Sequence, residues 1–189
     1  IPLSIAALPR TGRPVVEKIE VRLVPGPTRR IEVSPAVSRV LAGQRVRLDA
    51  TPITATGDAR EDAVTWASSN PRVATVSDGL LTGIAPGTVT ITVKAGTAET
   101  TRTVQVLSNA GVTMTMTPSA TRARQGDVVR FAATVTDARG RAITGLVPAW
   151  SFSPGQGAID QDGAFVGNVP GRYTVTASLG TREAVATVT

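Results

Sequence analysis

Apolar and polar residues alternate in short runs along most of the chain. In Arg45–Ala50 the residues Val46, Leu48 and Ala50 fall on one side. Thr88-Val89-Thr90-Ile91-Thr92-Val93 and Arg172-Tyr173-Thr174-Val175-Thr176-Ala177 alternate without a break. A period of two sends valine, isoleucine and leucine to one face of a sheet and threonine to the other. Turn signals separate the runs: Asp78-Gly79, Ala85-Pro86-Gly87, Asp162-Gly163 and Val169-Pro170-Gly171. No segment carries a 3.6-residue period. The pattern predicts an all-β fold of short antiparallel strands, packed as two-sheet sandwiches.

The pattern also repeats. Gly43-Gln44-Arg45-Val46-Arg47-Leu48 corresponds to Gly126-Asp127-Val128-Val129-Arg130-Phe131 at a spacing of 83 residues. Trp66, Gly79, Gly83, Pro86 and Gly87 recur as Trp150, Gly163, Gly167, Pro170 and Gly171 at a spacing of 84. Two sandwiches of about 80 residues each are predicted, a common domain size. The expected boundaries are 29–107 and 112–189, with a linker at 108–111. So short a linker predicts an end-to-end rod with limited bending.

Within the first copy, Val64-Thr65-Trp66-Ala67-Ser68-Ser69-Asn70-Pro71-Arg72-Val73-Ala74-Thr75-Val76 resembles the signature of bacterial immunoglobulin-like domains, group 2. Its continuation, Gly79-Leu80-Leu81-Thr82-Gly83-Ile84-Ala85-Pro86-Gly87-Thr88-Val89-Thr90-Ile91, resembles it as well. So do Leu41-Ala42-Gly43-Gln44 and Thr103-Val104-Gln105-Val106. The second copy keeps Trp150 and the glycine–proline framework but has Ser151-Phe152-Ser153-Pro154 in place of Ser-Ser-Asn-Pro, a divergent version. The resemblance implies two tandem Ig-like antiparallel β-sandwiches, an extracytoplasmic location at the periplasm or cell surface, and no catalysis.

Charge distinguishes the segment before the repeats. The chain has 189 residues and a net charge of +6. Arg10, Arg13, Lys18, Arg22, Arg29 and Arg30 stand against Glu17 and Glu20 in the first thirty residues, so most of the excess lies there. Pro2, Pro9, Pro14, Pro25 and Pro27 favour an extended backbone in the same stretch. Residues 1–28 are expected to form an extended N-terminal arm, with these six basic residues as candidate partner-binding groups for an acidic or anionic surface. Lys18–Leu23 and Arg30–Val33 both alternate around Pro25-Gly26-Pro27, which predicts a hairpin. The apolar start, Ile1–Leu8, is far shorter than the ~20 residues of a membrane span; it is a candidate for burial against a larger complex.

Chemistry is sparse. Cysteine and histidine are absent, which removes disulfides, thiol and imidazole catalysis, and the usual zinc or haem ligands. Asp160-Gln161-Asp162-Gly163 is the best calcium-like fragment, but its counterpart Ser77-Asp78-Gly79 reads as a turn, and a turn is expected. Asp58, Glu61 and Asp62 form an acidic loop interrupted by Arg60 and are expected to be solvated. Met114 and Met116 share a strand face and are expected in the core. Trp66, Trp150, Phe131, Phe152, Phe165 and Tyr173 are likewise assigned to core packing. That assignment argues against stacking on sugars or bases, and scattered arginines argue against a nucleic-acid groove reader. The sequence predicts no cofactor, metal, small-molecule substrate or nucleic-acid partner. Its expected function is that of an accessory or scaffolding subunit whose partners are other proteins, in a membrane-embedded complex or a cell-surface assembly. The alternatives are a stalk fragment of a surface adhesin and a glycan-binding accessory module.

Overall fold

The computed structural model describes residues 26–189 in full and residues 2–7 and 15–20 as backbone strands. Among the described residues every regular element is a strand. The fold is all-β, built of β-sandwiches as the alternation predicts; the Ig-like character is what the family resemblance implies.

In the N-terminal segment, β1 (Pro2–Ala7) and β2 (Val15–Glu20) pair antiparallel, with Pro2 opposite Glu20 and Ala7 opposite Val15. These two described stretches are extended strands that form a ribbon with each other. The predicted hairpin between Lys18–Leu23 and Arg30–Val33 is not what forms. Arg30–Val33 belongs to β3 (Thr28–Ser34), and β3 pairs with β6 (Asp49–Thr54). The reason is burial: Ile31 and Val33 enter the first hydrophobic core, a gain that pairing with an isolated arm cannot supply. Residues 21–25, which hold Leu23 and Pro25 of the expected hairpin, lie outside the described residues.

The first sandwich continues with β4 (Arg39–Leu41), β5 (Arg45–Arg47), β7 (Val64–Ser68), β8 (Ala74–Ser77), β9 (Leu80–Gly83), β10 (Gly87–Ala95) and β11 (Ala98–Leu107). One sheet has the order β4–β11–β10–β7, with β4 parallel to β11; β3–β6 and β5–β9–β8 lie in the opposing layer. Ile31, Val46, Leu81, Ile91 and Val104 fill the space between them. The second sandwich comprises β12 (Thr113–Pro118), β13 (Val128–Thr136), β14 (Ala149–Ser153), β15 (Gly157–Ile159), β16 (Ala164–Gly167), β17 (Tyr173–Leu179) and β18 (Arg182–Val188). Its sheets run β12–β13–β16–β15 and β14–β17–β18.

The repeated glycines have a shared geometric cause. Leu48 N–H donates to Gly79 O at 2.7 Å, and Phe131 N–H donates to Gly163 O at 2.8 Å. Both glycines have positive φ, 78° and 76°, a conformation that only glycine adopts without strain. A Cβ on Gly163 would also stand 2.8 Å from Trp150 Cζ2. Each tryptophan thus packs over a turn that cannot carry a side chain.

The aromatic residues are packed as expected, with gradations. Phe131, Phe165 and Tyr173 are buried, whereas Phe152, Trp66 and Trp150 are half-buried against the same clusters. Phe165 makes edge-on or tilted contacts with Phe131, Phe152 and Tyr173 at centroid distances of 5.0 to 6.3 Å, the range such rings favour. Trp150 Nε1–H donates to Gln161 O at 3.1 Å. Met114 is buried and Met116 half-buried in the second core.

Candidate functional site

The basic residues proposed from the sequence are not assembled into a site by the described geometry. Arg10, Arg13 and Arg22 lie outside the described residues. Lys18 occupies β2 opposite Ser4. Arg29 and Arg30 are exposed on β3, and Arg30 is paired with Glu32 at 2.9 Å. That ion pair is solvated on both sides and worth little.

The acidic candidates are turn and clasp residues. Asp160 Oδ1 accepts the N–H groups of Asp162 at 3.0 Å and Ala164 at 2.9 Å, which makes the calcium-like fragment a turn, as expected. In the other loop, Arg60 donates to both carboxylate oxygens of Asp62 at 2.9 and 2.8 Å. The Thr28 hydroxyl donates to the same carboxylate, and Arg60 Nη1 reaches Gly26 O at 2.7 Å. Asp62 is therefore half-buried and clasped where the sequence reading had it solvated. The Arg60 hydrogen bond, followed by that of Thr28, holds the Asp62 carboxyl below the usual carboxylate range. Among the described residues, no group of three or more carboxylates is placed to hold a metal.

The most highly built polar site is the junction between the sandwiches, which sequence reasoning treated only as a linker. Leu41, at the end of β4, is 0% exposed. It lies in the core of the second sandwich, with Val112, Met114, Val135 and Leu179. Beside it Gln44 is 2% exposed. Gln44 Oε1 accepts the Leu41 N–H at 2.9 Å, and its Nε2 donates to Val147 O at 2.8 Å. Both ends of a buried amide are thus used, one in each sandwich, so neither leaves an uncompensated polar group.

Further bonds surround this pair. Arg39 donates from its backbone N–H to Gly145 O at 3.2 Å and from Nη1 to Thr144 O at 3.1 Å. Asn109 Nδ2 donates to Ala42 O at 3.1 Å, and Arg182 Nη2 donates to Asn109 O at 3.0 Å. Gly180, with φ 65°, lets the β17–β18 turn approach so closely that a Cβ there would stand 3.1 Å from Gln44 N. The junction is a packed interface with an apolar plug and a hydrogen-bonded rim. Its only signal in the sequence was the shortness of the linker, because Leu41 reads as an ordinary alternating core residue and Gln44 meets its partner 103 residues away.

These features can be set beside known proteins. Residues 27–106 match the family model described as bacterial Ig-like domain (group 2). No curated protein matches the chain. Among solved structures it is similar to surface layer protein SbsC, domains 1–6, at 22% identity over 93% of this chain and 27% of that one, with a TM-score of 0.51. It is also similar to SbsC domains 4–9, at 19% identity over 93% of this chain and 32% of that one, with a TM-score of 0.45. A third likeness is to the adhesin InvE of Yersinia pseudotuberculosis, at 14% identity over 82% of this chain and 56% of that one, with a TM-score of 0.33. The chain spans about a third or less of those two SbsC structures, and at such identities the likeness concerns the fold alone. Over residues 27–106, somewhat under half of its length, this chain is therefore similar to the bacterial Ig-like domain family, group 2.

Proposed function

We propose that this chain is a non-catalytic structural and interaction protein, an extracytoplasmic accessory or scaffolding subunit. In this reading, residues 29–107 and 112–189 form two sandwiches that act as one brace, joined at 108–111. The basic segment 1–28, with Arg10, Arg13, Lys18 and Arg22, docks on an acidic protein surface together with Arg29 and Arg30. The host is a membrane-embedded complex or a cell-surface assembly. The observation that carries the brace is the Leu41–Gln44 junction: a plug buried in the second core and an amide bonded in both halves leave little freedom to bend. The family of residues 27–106 supports the non-catalytic reading.

The docking role is tested by replacing the six basic residues with glutamine and comparing capture from envelope extracts made with mild detergent. Glutamine keeps the length and the β3 pairing, whereas truncation to Ile31 would remove Thr28 and its bond to Asp62. Loss of the captured partner is expected. Unchanged recovery would remove the arm from the account.

A further inference from the structure

We propose that the open edge of β5, where it borders the cleft between the two sandwiches, accepts an acidic extended segment of a partner protein as an added strand. The proposal rests on the interaction role above and gives that role a second, separate surface. β5 is the outer strand of the β5–β9–β8 sheet. Two bonds fix which way its backbone faces: Gly83 N–H donates to Gln44 O at 3.0 Å, and Leu48 N–H donates to Gly79 O at 2.7 Å. Backbone groups alternate sides in an antiparallel ladder. The Gln44 C=O and the backbone groups of Val46 and Leu48 therefore face β9, and the N–H and C=O groups of Arg45 and Arg47 face the open side. A peptide strand placed there finds donors and acceptors already aligned.

The side chains beside that edge specify the occupant. Val46 points inward and is buried, so Arg45 and Arg47 both project from the outer face, where they are exposed. Among the described residues, neither guanidinium has an ion pair or a side-chain hydrogen bond. Leu80, opposite Arg47 in the register, shares their face and is 38% exposed. The adjoining cleft, about 230 Å³, continues onto Pro35, Val147, Pro148 and Trp150 of both sandwiches. Asp160, the acidic residue lining it, is engaged by two backbone amides of its own turn. Free cations above an apolar floor complement an extended segment that alternates acidic and aliphatic residues. A sugar is a poorer fit, because the Trp150 N–H is already bonded to Gln161 O.

The probe is a capped peptide, Gly-Glu-Val-Glu-Val-Glu-Gly, titrated into the full chain and followed by amide NMR. Saturable shifts at Arg45 and Arg47 are expected, with at least tenfold slower hydrogen exchange at their N–H groups. Affinity should fall as salt is raised. The double substitution Arg45→Glu with Arg47→Glu should abolish binding, and so should N-methylation of the peptide's glutamates and valines together, which removes its ladder donors in either strand direction, or replacement of its glutamates by lysine. No saturable shift at these two residues would overturn the proposal and leave the arginines as charges that keep a bare edge from self-pairing. Binding that tolerates N-methylation, or stronger binding of polygalacturonate, would overturn strand addition. The six-glutamine arm variant separates the two interaction surfaces: it should bind the peptide normally even where it loses the envelope partner.

Discussion

The two sandwiches end in the same backbone device but use it differently. In the first, Leu41 N–H is held by the Gln44 side chain at 2.9 Å. In the second, at a spacing of 83 residues, Arg124 N–H is held by the Asp127 side chain, also at 2.9 Å. Leu41 is buried in its neighbour, whereas Arg124 is exposed. A glutamine has an N–H left over to reach Val147; a carboxylate has none. The local turn thus belongs to the fold, and docking is added by two residues, one apolar and one with a spare donor.

The entry loops differ in the complementary way. Thr144–Leu146 of the second sandwich receives Arg39 and lies beside Leu41. Its counterpart in the first, Arg60–Asp62, is a charged clasp on Gly26 and Thr28 that fixes the start of β3. One scaffold position holds a neighbouring domain in one copy and the entering chain in the other.

Replacing the plug should have the largest effect. Leu41→Ala removes a fully buried side chain from an interface core and should cost about 2–5 kcal/mol, read by chemical denaturation. Arg124→Ala, its counterpart, should fall within about 0.5 kcal/mol. Equal losses at both positions would erase the distinction between the two ends.

Next comes the amide. Gln44→Ala leaves the buried Leu41 N–H without its partner, removes the donor to the half-buried Val147 C=O and should cost about 1–3 kcal/mol, whereas Asp127→Ala should cost about 1 kcal/mol or less. Hydrogen exchange at Leu41 should accelerate in the first variant and stay slow if Gln44 is incidental. Smaller still is the effect of acid on the clasp. The folded-state value for Asp62 is lowered, so its contribution is present above the ordinary carboxylate range near pH 4. It is lost as pH falls through the lower, folded value. Asp62→Asn should flatten the acid limb of the stability profile; an unaltered limb would show that the clasp contributes nothing.

Much of this architecture was legible in the sequence because period-two alternation and the turn glycines are local signals. Val89, Ile91 and Val93 announced their strand, and Gly79 and Gly163 announced their turns. Partner choice was less legible. Arg30–Val33 alternates equally well for pairing with the arm or with β6, and only the burial of Ile31 and Val33 decides. The junction was harder again, since Gln44 looks like a loop residue until Val147 is brought to it. The open edge of β5 was invisible for the same reason: an alternating strand does not reveal whether it lies at a sheet's centre or its border.

Residual dipolar couplings measured on both halves of the intact chain test the account most directly. Sandwiches locked through Leu41 and Gln44 must share one alignment tensor, equal in magnitude and orientation. Two tensors of different magnitude would mean that the halves reorient independently, and the brace would not exist.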